Sequence, residues 1–83
     1  MTTKPHVIFY TRPGCHLCEE AQLAIAAADC AHAYTLEEVN IETDPDLRRR
    51  YGWDIPVVRI NGRHVFKHRL TAADFKRALS DAL

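Results

Sequence analysis

Two cysteines separated by two residues carry the clearest chemistry in this sequence. Cys15 and Cys18 lie in the segment TRPGCHLCEE at residues 11–20, directly behind the corner formed by Pro13-Gly14. Two thiols at this spacing can exchange with disulfides, supply half of a metal site or serve as two small hydrophobic residues. The elements around them decide between these interpretations.

A strand-to-helix corner at Cys15 favours redox chemistry. The first turn of a helix has unpaired N–H groups and a dipole that stabilises negative charge. A thiolate there is stabilised, and such sites lower the cysteine pKa from about 8.5 towards roughly 3.5–7.5. We therefore expect Cys15 to be the attacking nucleophile. Cys18, one turn later, is placed to attack the resulting mixed disulfide and release the reduced substrate.

Neighbouring residues modify this expectation. Arg12 adds positive charge near Cys15 and would support its thiolate, although an ordinary exposed arginine is an equally simple interpretation. Glu19 and Glu20 suit the start of a helix but repel a thiolate. The sequence therefore predicts a moderately acidic thiol. Pro56 begins a predicted strand, where a missing N–H does least harm, and the residues alone do not decide between a cis and a trans bond.

Local patterns predict the elements that position the cysteines. Strands are expected at residues 7–11, 34–41, 57–60 and 63–66, and helices at 15–29, at 45–51 and from 71 onward. Asn61-Gly62 is the strongest short hairpin signal, because both residues tolerate a positive φ. Asp44 and Thr71 are the predicted N-caps. The buried stripe of the first helix is expected to consist of Leu17, Ala21, Ala24 and Ala28. The order β-α-β-α-β-β-α predicts an α/β fold with a four-stranded mixed sheet flanked by helices.

Length and composition indicate a single small domain spanning residues 1–83. The formal net charge is zero, so no overall field favours nucleic acid, and Arg48-Arg49-Arg50 is interpreted as the solvated face of a helix. No apolar run approaches the roughly 20 residues of a membrane span or the core of a signal peptide. We expect the protein to be a cytoplasmic monomer that does not contact a membrane. In a reducing compartment a Cys-x-x-Cys pair is catalytic or metal-binding more often than structural.

Taken together, the motifs resemble the thioredoxin superfamily and, within it, the small glutaredoxin-like proteins. The resemblance rests on FYTRPGCHLC at residues 9–18, DPDL at 44–47 with Tyr51-Gly52, and IPVV at 55–58. It implies a thioredoxin-like fold with a redox-active disulfide between Cys15 and Cys18. It also implies that Pro56 is cis and packs against the pair, and that the backbone of Ile55 hydrogen-bonds an incoming substrate. Arg12 stands where this family keeps a basic residue, which makes it a substrate-binding candidate.

Two segments depart from the glutaredoxin pattern. His16-Leu17 separates the cysteines where glutaredoxins have Pro-Tyr, and FKHR at 66–69 stands where they have Gly-Gly followed by Asp. In that family the glycines receive the γ-glutamyl end of glutathione on bare backbone. The resemblance therefore predicts a thiol–disulfide oxidoreductase acting on a protein or small-molecule disulfide. A reductase or glutathione would supply electrons, and no tightly bound cofactor is expected.

Three other interpretations stay open at this stage. Cys15 and Cys18 could join His64 and His68 in a zinc site, although 45 residues separate the two pairs where a zinc finger has about 12–15. An iron–sulfur cluster would need ligands from a second chain or a small thiol. The chain could also be a non-catalytic adaptor or redox sensor. Cys30 is interpreted as a small buried hydrophobic residue, and Trp53, three residues before Pro56, is expected to border the active site.

Overall fold

The computed structural model describes residues 4–82, which form a four-stranded sheet and three α-helices. The strands are β1 (His6–Thr11), β2 (Thr35–Asn40), β3 (Val57–Ile60) and β4 (Arg63–Lys67). The helices are α1 (His16–Ala27), α2 (Pro45–Tyr51) and α3 (Ala72–Asp81), with short 3₁₀ turns at Ala31–Ala33 and Ile41–Thr43. This is the predicted element order, and the α/β fold class is confirmed. No helix in this part of the chain is long and apolar enough to cross a membrane.

The sheet is mixed, with the strand order β2-β1-β3-β4. β1 pairs with β2 in parallel and with β3 in antiparallel orientation, and β3 and β4 form an antiparallel hairpin. Asn61 and Gly62 connect the hairpin with φ angles of 51° and 81°, the left-handed geometry that the Asn-Gly pair predicted. The loop that follows β1 leads to Cys15, and the loop that precedes β3 carries Pro56. Because β1 and β3 are antiparallel neighbours, these two loops meet at one end of the sheet.

One hydrophobic cluster joins the sheet to the helices. Its members are fully or almost fully buried: Val7, Phe9, Cys18, Ala21, Ile25, Ala28, Tyr34, Ile41, Tyr51, Ile55, Val57, Val58, Ile60, Phe75 and Leu79. Tyr34 and Phe75 meet edge to face with their ring centroids 5.3 Å apart. Burying these side chains is the dominant favourable contribution to folding in a domain of this size.

The first helix differs from the prediction in its bounds and in its buried face. It begins at His16, with Cys15 as its N-cap, and ends at Ala27. Its buried residues are Cys18, Ala21 and Ile25, whereas Leu17 and Ala24 are half-buried. Of the predicted stripe, Ala21 and Ala28 are buried as expected, whereas Cys18 and Ile25 take the places of Leu17 and Ala24 in the core.

Strand β2 is shorter than predicted and lies at the edge of the sheet. It covers Thr35–Asn40, and its first four residues are exposed. An edge strand that is exposed on both faces does not need alternating polar and apolar residues. Glu37 and Glu38 are therefore compatible with a strand here. Helix α2 ends at Tyr51 before Gly52, as predicted, although Gly52 has a right-handed φ of −54°.

Candidate redox site

Cys15 lies at the junction between the loop after β1 and helix α1. It is the N-cap of α1, with an extended backbone at φ −87° and ψ 107°. Its Sγ accepts a hydrogen bond of 3.1 Å from the backbone N–H of Cys18. An N–H of the first turn is therefore directed at the sulfur, which is the contact that stabilises a thiolate at a helix start.

The two cysteines form a disulfide pair within this first turn. Their Cα atoms are 5.2 Å apart, inside the range that a disulfide requires, and the Sγ atoms of Cys15 and Cys18 are in bonding contact. Cys18 is only 2% exposed, whereas Cys15 is half-buried. An external molecule can therefore reach the sulfur of Cys15 and not that of Cys18.

The loop before β3 lies beside the cysteine loop. Tyr10 pairs with Val57 across β1 and β3, so the next step of this antiparallel register brings Thr11 next to Pro56. The Ile55–Pro56 peptide bond is cis, the isomer that the resemblance implied, and both residues are buried. This register brings the substrate-binding candidates Ile55 and Pro56 to the end of the sheet that also carries Cys15.

The backbone N–H of Ile55 already has a partner inside the protein. It donates to the carbonyl oxygen of Tyr51 at 3.1 Å, at the end of helix α2. The sequence predicts that the backbone of Ile55 hydrogen-bonds a substrate. Because the N–H group is already used, this prediction now concerns the carbonyl group, which can accept from a substrate N–H.

His68 is a site residue that the sequence analysis missed in this role. Its backbone N–H lies 2.9 Å from the carbonyl oxygen of Pro56 and 3.2 Å from that of Asp54. Its ring Nε2 is 3.1 Å from the carbonyl oxygen of Trp53. His68 therefore braces the loop that carries the cis proline. Its φ of 69° is unusual for a residue other than glycine. The only feature of the sequence that could have indicated this conformation is that glutaredoxins have Gly-Gly in the matching segment.

Arg12 is exposed and lines a groove of about 630 Å³ next to the cysteine loop. Arg48 and Arg49 of helix α2 line the same groove, together with Trp53, which is 94% exposed. Trp53 shares this groove with Arg12, but neither cysteine lines it, so the position of Trp53 at the active site stays a prediction. The structure therefore brings together Arg12, the start of helix α2 and the loop before Pro56.

The zinc interpretation does not fit the arrangement of ligands. Within residues 4–82, no three His, Cys, Asp or Glu side chains converge on a possible metal position. His64 and His68 are consequently not gathered around Cys15 and Cys18. The ring of His68 faces the backbone of Trp53 and lies 3.8 Å from the carboxylate of Asp54.

Cys30 is a free, half-buried thiol. It is more exposed than the buried residue that the sequence predicted. It packs against the core beyond the end of helix α1 and lines a small pocket with Lys76 and Leu79. Since Cys15 and Cys18 are bonded to each other, Cys30 is not part of the redox pair.

Comparison with known proteins agrees with this geometry. The model of the family described as "Glutaredoxin-like domain (DUF836)" matches residues 6–80. A glutaredoxin-like protein of Dictyostelium discoideum is 32% identical over 71 residues, which cover 78% of this chain and 66% of that protein's own length. A crystal structure of a protein from X. campestris superposes with a TM-score of 0.80 at 31% identity, over 93% of this chain and 99% of that one. Mitochondrial thioredoxin 3 of Saccharomyces cerevisiae, at 14% identity and a TM-score of 0.64 over 94% of this chain and 78% of that one, has the same fold.

Proposed function

This chain belongs to the glutaredoxin-like family, and we propose that within it the protein is a thiol–disulfide oxidoreductase that works through Cys15 and Cys18. The observation that carries the proposal is the asymmetry of the pair. The outer sulfur caps a helix and accepts an N–H from its first turn, and the inner sulfur is buried one turn later. This arrangement suits one attacking and one resolving thiol.

The proposed reaction transfers two electrons from the protein to a substrate disulfide. The thiolate of Cys15 attacks one substrate sulfur, the substrate S–S bond breaks, and the first substrate thiolate leaves and takes up a proton from solvent. Cys18 then loses its proton and attacks the Sγ of Cys15. The mixed disulfide breaks, the second substrate thiolate leaves and is protonated, and the protein is left with the Cys15–Cys18 disulfide.

Regeneration of the dithiol needs an external thiol donor. A reductase or glutathione can fill this role, and its thiolate would attack Cys15 because Cys18 is buried. We propose a protein or small-molecule disulfide as substrate and no tightly bound cofactor. A cytoplasmic setting suits such a cycle, since its thiol pools keep the pair reducible.

Single cysteine variants test this proposal. With dithiothreitol as the reductant and a disulfide-bonded peptide as the substrate, Cys15→Ser is expected to abolish turnover because it removes the nucleophile. Mixed with the peptide in the absence of dithiothreitol, the reduced Cys18→Ser variant is expected to hold the peptide in a mixed disulfide with Cys15, visible by mass spectrometry. Cys30→Ser is the matched control and should turn over like the wild type.

The outcome that contradicts the proposal is a rate above background that does not depend on Cys15. Equal and negligible rates in the wild type and in Cys15→Ser would instead favour the adaptor or sensor interpretation. Because these assays use dithiothreitol, neither result depends on whether glutathione is a donor.

A further inference from the structure

The exchange steps proposed above do not use the groove next to the cysteine loop. Its walls carry Arg12, Arg48, Arg49, Trp53 and a single acidic side chain, Glu42. We infer that this groove binds an acidic segment of a protein substrate, next to the substrate cysteine that Cys15 attacks. The inference rests on the proposed function and specifies the class of substrate.

Exposure of Trp53 is the first observation that supports a docking surface. Its side chain is 94% exposed, although it is the only tryptophan in the chain and one of the largest apolar groups. Leaving so much apolar surface in water has no benefit for folding. Tryptophan and arginine are the residues most enriched at the energetic centres of protein interfaces, and here they share one groove.

The charges of the groove favour an anionic partner. Within the part of the chain that the structure describes, Arg12 and Arg48 form no salt bridge, whereas Arg49 pairs with Asp46. The whole chain is formally neutral, so this surface is a local excess of positive charge. Arginine binds carboxylates in a planar, bidentate geometry, which suits aspartate and glutamate side chains.

Helix α2 is fixed to the sheet, so the groove exists before a partner binds. The ring of Tyr51, at the end of α2, stacks on Tyr10 of β1 with centroids 4.6 Å apart. The Nη1 of Arg59 in β3 donates to the hydroxyl of Tyr51 at 3.0 Å. A pre-organised surface loses less conformational entropy on binding than a mobile one.

Position in the sequence connects the groove to the redox pair. Arg12 lies three residues before Cys15, and Trp53 lies three residues before Pro56. A substrate strand that pairs with the carbonyl of Ile55 would lie beside the turn at residues 52–54, which carries Trp53. Acidic residues on one side of the substrate cysteine would then meet Arg12 and Arg48.

A peptide fits this groove better than a nucleic acid. Glu42 lies on the wall and would repel the regular phosphate charges of a nucleic acid strand. Isolated carboxylates of a peptide can avoid Glu42 and still contact the arginines. The proposed chemistry also requires a partner with a cysteine.

The test compares three peptides of equal length, each with one cysteine held in a mixed disulfide with 2-mercaptoethanol. The residues flanking the cysteine are Glu, Gln or Lys. With dithiothreitol as the reductant, the wild type is expected to reduce the Glu peptide about three- to tenfold faster in kcat/KM than the Gln peptide. Arg48→Glu should abolish or reverse this preference. Arg63→Glu is the matched control, because Arg63 lies at the hairpin end of β4, and it should keep the wild-type ratio.

A binding measurement separates docking from catalysis. In the double variant Cys15→Ser/Cys18→Ser, the fluorescence of Trp53 should change on addition of the reduced Glu peptide, and the affinity should fall as salt is added. This signal would still support the groove if no peptide were turned over, in which case the proposed function alone would fail. Equal kcat/KM values for the three peptides, with an unchanged fluorescence spectrum, would overturn the inference.

Two further measurements test competing ligands of the groove. Tighter binding of a single-stranded oligonucleotide than of the Glu peptide would overturn the inference in favour of a nucleic-acid surface. An Arg48 dependence seen with glutathione disulfide but not with the Glu peptide would also overturn it, because the groove would then serve a tripeptide.

Discussion

Cys15 and Cys18 differ in exposure, and this difference sets the order of the exchange steps. In the disulfide-bonded state, the sulfur of Cys15 is the one that an outside molecule meets. The N–H of Cys18, which donates to Cys15, stabilises the same sulfur as an attacking thiolate and as a leaving group. The sequence alone could place Cys15 at the helix start, since Pro13-Gly14 and the change in composition locate the corner.

Tyr10 and Tyr34 are expected to make the stability of the protein fall at high pH. Burial, followed by the nearby Tyr51, raises the pKa of Tyr10, and burial, followed by Cys30, raises the pKa of Tyr34. A raised pKa in the folded state means that ionisation costs more there than in the unfolded chain. The stabilising contribution is therefore complete below about pH 10 and is lost as the pH rises above it.

The double variant Tyr10→Phe/Tyr34→Phe is expected to flatten this decline. Urea unfolding of the oxidised protein between about pH 8 and about pH 11.5 measures it, and the oxidised state prevents Cys15 and Cys18 from titrating. A decline of the same steepness in the variant would contradict the assignment to these tyrosines.

At the level of elements, Tyr51 is the contact that holds helix α2 against the sheet. Its ring is 7% exposed, it stacks on Tyr10, and its hydroxyl accepts from Arg59. Tyr51→Ala is expected to lower the free energy of unfolding by about 3–5 kcal/mol, the usual cost of removing a buried aromatic ring. Tyr51→Phe keeps the stack and should lose only about 1 kcal/mol, the typical net value of one hydrogen bond.

Urea unfolding followed by far-UV circular dichroism measures both variants. Since α2 carries Arg48 and Arg49, Tyr51→Ala should also weaken the preference for acidic peptides. Equal stabilities of the Phe and Ala variants would show that the ring does not anchor the helix.

The elements with strong local signals were predicted well, and those shaped by distant contacts were not. Asp44 caps α2 by accepting from the N–H of Asp46, and Thr71 caps α3 by accepting from that of Asp74, as short polar residues at a helix start predict. The buried face of α1 is predicted in part: Ala21 and Ala28 are buried as expected, but Cys18, which was assigned to chemistry, lies in the core in place of Leu17. That face is decided by packing against α3 and the common core, which the helical spacing of residues in the sequence does not reveal.

At the level of the whole molecule, the groove could not be predicted from the sequence. Arg12 is far along the chain from Arg48 and Trp53, and only the packing of α2 beside the cysteine loop brings them together. The formal net charge of the chain is zero, and a net charge does not show a local excess of positive charge. The arginine run was interpreted as a solvated helix face, which its exposure confirms, but a solvated face can also be a docking surface.

The single core predicts cooperative unfolding of the whole molecule. Buried residues of β1, α1, β3, α2 and α3 form one cluster, so the loss of one of these elements removes contacts from the others. We expect one transition in urea and a stability of about 4–12 kcal/mol, at 0.05–0.15 kcal/mol per residue. Far-UV circular dichroism reports the helices, and near-UV circular dichroism reports the buried Tyr34 and Tyr51. The two signals should give the same midpoint, whereas different midpoints would show that the molecule does not unfold as one unit.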